Sequence, residues 1–128
     1  RNSKLLPKLA VVRESLLPLI IKVIFMKTHT SERELAFEAL KVLRGTLTGS
    51  LKFRDLMLEI ESKIQFTSRD LAPSVTRKGE CLWEQRLRNI NSHRDCSSNF
   101  IHKGLLASVP DGLAITKKGR DYLSSQLI

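Results

Sequence analysis

The stretch Leu105-Leu-Ala-Ser-Val-Pro-Asp-Gly-Leu-Ala-Ile-Thr116 decides the fold class of this chain. Two short apolar runs, residues 105–109 and 113–116, flank Pro110-Asp-Gly112. Proline, aspartate and glycine in succession are typical of a tight turn between antiparallel strands. The stretch therefore predicts a β-hairpin. Lys117-Lys-Gly-Arg-Asp-Tyr-Leu123 follows it and predicts a final helix.

Upstream of the hairpin, the first predicted helix begins within Thr30-Ser-Glu-Arg-Glu34. Thr30 or Ser31 can cap a helix, and Glu34 stands where a capping box places a carboxylate. Gly45 is a typical residue at a helix end. Residues 47–50 are interpreted as a short connection to the next helix.

Two further amphipathic helices are predicted before the hairpin. Apolar residues recur at helical spacing over residues 51–64, at Phe53, Leu56, Met57, Ile60 and Ile64. A third helix, over residues 80–94, carries Trp83, Leu87 and Ile90 on one face. A break at 93–98 and a short helical piece at 99–103 complete the prediction.

This order of elements predicts a mostly α fold with a small antiparallel β-hairpin wing, the winged helix-turn-helix class. Residues 30–128 are assigned to that domain. Residues 1–29 are interpreted as a basic and aliphatic extension, helical after Pro18, that packs on the domain or forms a homodimer. Residues 16–26 are apolar but interrupted by Pro18 and Lys22, and they fall short of the about 20 residues that span a bilayer. Because the chain starts at Arg1, we interpret it as part of a longer protein.

The charge of the chain favours a polyanionic partner. Basic residues number 22 and acidic residues 13, which gives a net charge of +9. Residues 63–128 hold eleven basic and six acidic side chains, whereas residues 31–62 are close to neutral. An excess of this kind is typical of nucleic-acid binding, although a basic protein without that role is the alternative.

The third predicted helix carries the candidate recognition residues. If Trp83, Leu87 and Ile90 face the core, the opposite face carries side chains that suit base edges, namely Gln85, Arg88, Asn89 and Ser92. Contacts to the DNA backbone are predicted beside this helix and after the hairpin, at Arg77, Lys78, Arg86, Asn91, Arg94, Lys117 and Lys118. Trp83 itself is assigned to the core rather than to base stacking. The alternative is an ordinary solvated helix face.

Residues 82–123 resemble the N-terminal winged-helix domain of Mrr-type restriction endonucleases. The resemblance is carried by Trp83, Leu87, Ile90, Gly104-Leu105-Leu106, Ile115-Thr116 and Gly119-Arg120. The extra segment from Ser92 to Ser98 departs from that pattern. The resemblance implies that the chain binds double-stranded DNA as the target-recognition part of a larger restriction-type nuclease or DNA-processing protein, cytoplasmic and associated with the bacterial nucleoid. A stand-alone transcription regulator and a protein-interaction or oligomerisation module are the alternatives.

The sequence offers little support for a catalytic site or a metal site. Cys81, His93, Cys96 and His102 lack the two close ligand pairs of a structural zinc site. Glu61-Ser-Lys63, with Asp55 upstream, has the spacing of a metal-dependent nuclease motif but falls on a predicted helix. No glycine-rich phosphate loop occurs. The sequence therefore predicts no catalytic residue, metal or cofactor, and its two cysteines suit a reducing compartment.

Overall fold

The computed structural model describes residues 27–126, which form four α-helices and one three-stranded antiparallel sheet. The elements in chain order are α1 (Glu32–Arg44), β1 (Ser50–Lys52), α2 (Phe53–Glu61), α3 (Leu82–Ser92), β2 (Leu106–Val109), β3 (Gly112–Ile115) and α4 (Lys117–Gln126). This mixed α/β arrangement is consistent with a winged-helix layout. Except for residues 27–29, the predicted N-terminal extension lies outside the described residues.

Helix α1 begins at the capping box that the sequence predicted. The Glu34 N–H donates to the Ser31 hydroxyl over 3.0 Å, and the Ser31 N–H donates to the Glu34 carboxylate over 3.1 Å. The helix ends at Gly45, whose N–H donates to the carbonyl of Val42. One face of α1 is buried and packs against α2, α3 and α4, so this helix forms the centre of the domain.

Residues 47–52 differ from the prediction. Residues 50–52 form strand β1, whereas the sequence predicted a connection followed by a helix from residue 51, and α2 begins only at Phe53. β1 pairs with β3, with Ser50 opposite Ala114 and Lys52 opposite Gly112. A strand of three residues is too short to show an alternating pattern, and its pairing with β3 decides its conformation.

The predicted hairpin is confirmed, with strand ends shifted by one residue. Val109 pairs with Gly112, which leaves Pro110 and Asp111 as a two-residue turn. Asp111 adopts a positive φ of 56°, which aspartate tolerates better than most residues. The Asp111 carbonyl accepts a hydrogen bond of 2.7 Å from the N–H of Phe53. The hairpin tip therefore lies against the first residue of α2 and does not project as a long wing.

The hydrophobic core follows the predicted helix faces. Trp83, Leu87 and Ile90 of α3 are buried, and the core role predicted for Trp83 is confirmed. The Trp83 ring stacks on Phe66, with ring centroids 4.3 Å apart. On α2, Phe53, Leu56, Met57 and Ile60 are buried, and Leu123 of α4 closes the core. Burial of these apolar surfaces provides the main driving force for folding.

The segment after α3 is shaped by a buried asparagine. Helix α3 ends at Ser92, and residues 99–103, predicted as a short helical piece, form turns instead. The Asn99 amide donates to the carbonyl of Ile90 over 2.8 Å, and its oxygen accepts from the N–H of Ile101 over 2.7 Å. Asn99 thereby satisfies a carbonyl of the last turn of α3 and holds the following chain against it.

Within residues 27–126, no helix combines the length and the apolar content needed to cross a membrane.

Candidate nucleic-acid interface

The connection between α2 and α3 is much longer than a simple turn. It spans residues 62–81, whereas helix-turn-helix units usually join these two helices by about three to four residues. It includes a turn at residues 67–71 and a loop at residues 74–80, which we call the pre-α3 loop. What anchors these two parts determines what α3 can present to a partner.

Asp70 anchors the first part of the connection. Its buried carboxylate accepts hydrogen bonds of 2.8 Å from both the N–H and the hydroxyl of Thr30, and one of 3.0 Å from the N–H of Thr67. Burial by itself raises the pKa of the Asp70 carboxyl, but the N–H groups and hydroxyls of Thr30 and Thr67 outweigh it and lower the pKa to about 2. Asp70 is therefore an ionised hub that joins the connection to the start of α1.

Arg86 contacts the same hub from α3. Its Nη1 donates to the carbonyl of Thr30 over 2.9 Å and to the Asp70 carboxylate over 3.2 Å. The sequence predicted a phosphate contact for Arg86, but its side chain is only 19% exposed and is held by these internal partners. Arg86 therefore links α3 to α1 and to the connection.

The pre-α3 loop is closed and fixed to α3. The Ser74 N–H donates to the carbonyl of Glu80 over 2.8 Å, and the Ser74 hydroxyl donates to the side-chain oxygen of Gln85. The loop exposes Val75, of which 96% is accessible, together with Arg77 and Lys78. Because Gln85 lies on the outward face of α3, the loop packs beside the N-terminal half of that face.

Arg88 joins the pre-α3 loop to α3 and to the hairpin. Its Nε and Nη2 donate to the Glu80 carboxylate over 2.8–3.1 Å, and Arg77 contacts the same carboxylate over 3.1 Å. The guanidinium lies 5.2 Å from the centre of the Phe53 ring, and its Nη1 is 3.7 Å from the Asp111 carboxylate. The predicted base reader is thus held in place by loop, helix and hairpin tip.

The rest of the outward face of α3 is polar and accessible. Asn89 is half-buried and makes no side-chain hydrogen bond to any of residues 27–126, and Ser92 is exposed. Asn91 lies on a flank, where its oxygen accepts a hydrogen bond of 3.0 Å from Arg94. Of the predicted base-reading side chains, Asn89 and Ser92 therefore have polar groups that no side-chain hydrogen bond within residues 27–126 occupies, so these groups can bind a partner.

Lys117 and Lys118 lie apart from the hairpin tip. They begin α4, which follows the end of β3 opposite the Pro110–Asp111 turn. Lys117 pairs with Asp121 over 3.0 Å at the surface, and the aliphatic part of Lys118 runs beside Gly104. These lysines are exposed, so they remain available to an anionic partner, but at the other end of the hairpin from Arg88.

Sequence reasoning missed the groups that organise this surface. Asp70, Ser74 and Glu80 received no role from the sequence, although Thr67-Ser-Arg-Asp70 has the spacing of a capping box, and Thr30 was considered only as a helix cap. Both hydrogen bonds of a capping box are present in the structure, since the Asp70 N–H donates to the Thr67 hydroxyl over 3.2 Å and the Thr67 N–H donates to the Asp70 carboxylate over 3.0 Å. The contact of Asp70 with Thr30 carries no comparable signal, because forty residues separate the two in sequence.

Neither the cysteines and histidines considered for zinc nor Asp55 and Glu61 form a metal site in the described part of the chain. No group of three or more His, Cys, Asp or Glu side chains within residues 27–126 is arranged to hold a metal ion. Cys81 instead caps α3, where its N–H donates to Glu84 over 2.8 Å. Burial, and after it the negative charge of Glu84, raises the pKa of the Cys81 thiol, which lowers its reactivity.

Comparison of the chain with protein-family models, with curated proteins and with solved structures gave no match. What the protein binds is therefore inferred from the chemistry of α3 and the pre-α3 loop. That surface combines exposed basic side chains with uncharged amides and hydroxyls, and two acidic side chains beside it, Glu80 and Asp111, both contact Arg88.

Proposed function

We propose that this chain is a winged-helix module that binds double-stranded DNA through the outward face of α3 and the pre-α3 loop. The observation that carries the proposal is the attachment of the loop to α3 through Ser74 and Gln85 and through Glu80 and Arg88. It produces one fixed surface with basic groups at its edge and amide groups at its centre. A helix of this kind lies in the major groove and presents its outward side chains to base edges.

The proposed mechanism begins with electrostatic capture by the basic surface. Lys78, Arg77 and Arg94 then contact phosphates around α3, while Lys117 and Lys118 contact phosphates from the end of the hairpin. Asn89 and Ser92, together with Gln85, contact base edges. Because the hairpin is short, its contribution comes from the lysines that follow it rather than from its tip.

Arg86 and Arg88 act differently from the other basic residues in this mechanism. Arg86 holds α3 on the start of α1, and Arg88 positions the pre-α3 loop against α3. Both prepare the surface before DNA arrives, so that less conformational freedom is lost on binding.

The wider role follows from the resemblance to Mrr-type endonucleases. We place this chain as the target-recognition part of a larger restriction-type nuclease or DNA-processing protein, located in the cytoplasm with the nucleoid. Catalysis then belongs to another part of that protein. A stand-alone transcription regulator would use the same surface, and the two differ in whether a nuclease domain accompanies it.

A protein-interaction module is the second candidate, and the exposed apolar residues of the connection favour it. Leu71 is 54% and Val75 96% exposed on the same segment. If this segment binds another protein, replacement of both residues by serine abolishes that contact and leaves DNA affinity unchanged. If the segment flanks DNA, the same replacement alters DNA binding.

The test is fluorescence anisotropy with a mixed pool of DNA duplexes, followed by selection of the preferred sequence. We expect binding at about 50 mM salt, and Asn89→Ala should weaken the preferred site by about 1–3 kcal/mol while relaxing base preference. Ser124→Ala on the exposed face of α4 is the control and should leave binding unchanged. The absence of any binding at the lowest salt would refute the proposal.

A further inference from the structure

A groove lies on a part of the domain that the proposed DNA surface does not use. It has a volume of about 1410 Å³ and runs between α1, the start of the connection and α4. Its apolar lining comes from Phe37, Ile64, Phe66 and Tyr122. None of the residues proposed to contact DNA lines it. Small-molecule sites usually measure about 300–1,000 Å³, so the size of this groove favours a polypeptide segment.

Aromatic contacts give the groove a firm apolar floor. The rings of Phe37 and Tyr122 meet edge to face with centroids 6.5 Å apart. Phe66 stacks on the buried Trp83, which connects the groove to the core. An apolar segment placed here would remove these rings from water, which is favourable.

The described chain begins at the rim of this groove. Lys27 and Thr28 both line it, and the Lys27 ammonium pairs with Glu34 of α1 over 2.9 Å. The Thr28 carbonyl accepts a hydrogen bond of 2.9 Å from the hydroxyl of Thr67, which also lines the groove. Residues that precede Lys27 are therefore attached at a fixed point on the rim.

The segment attached there has the composition to cover the groove. Of the eleven residues 16–26, nine are large and apolar, and Lys22 is the single charged one. Tethering at the rim gives such a segment a local concentration of about millimolar or above, so that weak apolar contacts suffice to hold it.

We infer that residues 16–26 dock in this groove of their own chain, with Phe37, Phe66 and Tyr122 as the contact surface. This inference is independent of DNA binding, because it involves other residues. It predicts that the N-terminal segment belongs to the domain and is not primarily a dimerisation arm.

Paramagnetic relaxation in NMR spectra of the full chain tests this inference. A nitroxide is attached to Ser68→Cys on one rim, in a background carrying Cys81→Ser and Cys96→Ser. We expect the amide signals of residues 16–26, apart from Pro18, which has no N–H, to lose most of their intensity and to regain it when the nitroxide is reduced. A second label at Gln126→Cys, which lines the groove from the end of α4, should give the same loss, and it shows that the label at position 68 does not itself block docking.

Two controls test whether the signal loss reports docking in the groove, and a mixing experiment tests whether the segment docks on its own chain. A label at Ser108→Cys on β2, which contributes no residue to the groove, should cause a much smaller loss for residues 16–26 than the rim labels do. Ile20→Asp with Ile24→Asp should restore the signals of residues 16–21 under the rim labels, whereas residues next to Lys27 stay near the Ser68 label through the chain itself. Unchanged signals with both rim labels would overturn the inference. So would a loss that persists when isotope-labelled chains without nitroxide are mixed with nitroxide-labelled ones, since that result places the segment on a second copy.

Discussion

At the scale of single residues, the position of α3 depends on the Asp70 carboxylate. This group is fully buried, and it joins Thr30, Thr67 and Arg86, which come from three separate parts of the chain. A buried anion is stable only when donors surround it. The hydrogen bonds of Asp70 meet that requirement, and none of the buried side-chain polar atoms in the described part of the chain lacks a partner.

Replacement of Asp70 by asparagine is predicted to lower the free energy of unfolding by about 2 kcal/mol, because the neutral amide loses the charge-assisted hydrogen bonds. Urea denaturation followed by the fluorescence of Trp83 measures the loss. Asp95→Asn, at an exposed position after α3, is the matched control and should change stability little. Equal stability of the two variants would contradict the role assigned to Asp70.

The same carboxylate predicts an acid dependence of stability. Folding lowers the pKa of Asp70 from 3.8 to about 2, so the folded state favours the ionised form. The contribution is complete above the unfolded-state pKa, and it is lost as the pH falls from 3.8 through about 2. Denaturation curves over this range should show falling stability, and Asp70→Asn should remove part of the slope. An identical slope in the variant would exclude Asp70 as its source.

Gly112 is required for a close approach of two strands rather than for the turn. A Cβ atom at this position would lie 2.1 Å from the Leu51 carbonyl oxygen. Gly112→Ala should therefore separate β1 from β3 and lower the free energy of unfolding by about 2 kcal/mol or more. Gly45→Ala, where the added carbon meets only ordinary contacts, should be neutral or slightly stabilising. Thermal unfolding of both variants measures the contrast, which a small effect at Gly112 would contradict.

At the scale of elements, the contact between Glu80 and Arg88 connects the pre-α3 loop with α3 and the hairpin. Both side chains are mostly buried, with 18% and 22% exposed. Partly buried, hydrogen-bonded pairs of this kind fix a geometry more effectively than exposed pairs do. The elements that form the proposed DNA surface are thus locked together before binding.

A double-mutant cycle on this pair tests whether Arg88 positions the loop or reads bases. If it positions the loop, Glu80→Gln and Arg88→Ala each weaken binding to the preferred duplex, and the double variant is no weaker than the worse single variant. The coupling energy should be about 0.5–3 kcal/mol. If Arg88 reads bases, Glu80→Gln frees it and removes a negative charge, so affinity rises. Anisotropy titrations of the four proteins decide between these outcomes.

At the scale of the whole molecule, charge controls the proposed association with DNA. The net charge of +9 is concentrated outside residues 31–62. Each phosphate contact releases counterions, which makes affinity depend on salt. The number of such contacts is therefore measurable without knowledge of the target sequence.

The salt dependence of DNA affinity should be steep between about 50 and 200 mM, and each lost phosphate contact should reduce the logarithmic slope by about 0.9. Lys78→Ala and Lys117→Ala should both reduce it, on preferred and random duplexes alike. Arg44→Ala, at the exposed end of α1, is the control of equal charge change and should leave it nearly unchanged. Equal slopes in all three variants would indicate non-specific attraction by net charge alone.

The sequence by itself determined the parts of this protein that depend on near neighbours. The capping box at Ser31, the buried faces of α2 and α3 and the turn at Pro110 all follow from spacings of a few residues, which act locally. Strand β1, the Asp70 hub and the contact of Arg88 with the hairpin tip emerged only from the tertiary structure. They join residues that are distant in the chain, and no local pattern specifies which distant partners a folded chain will bring together.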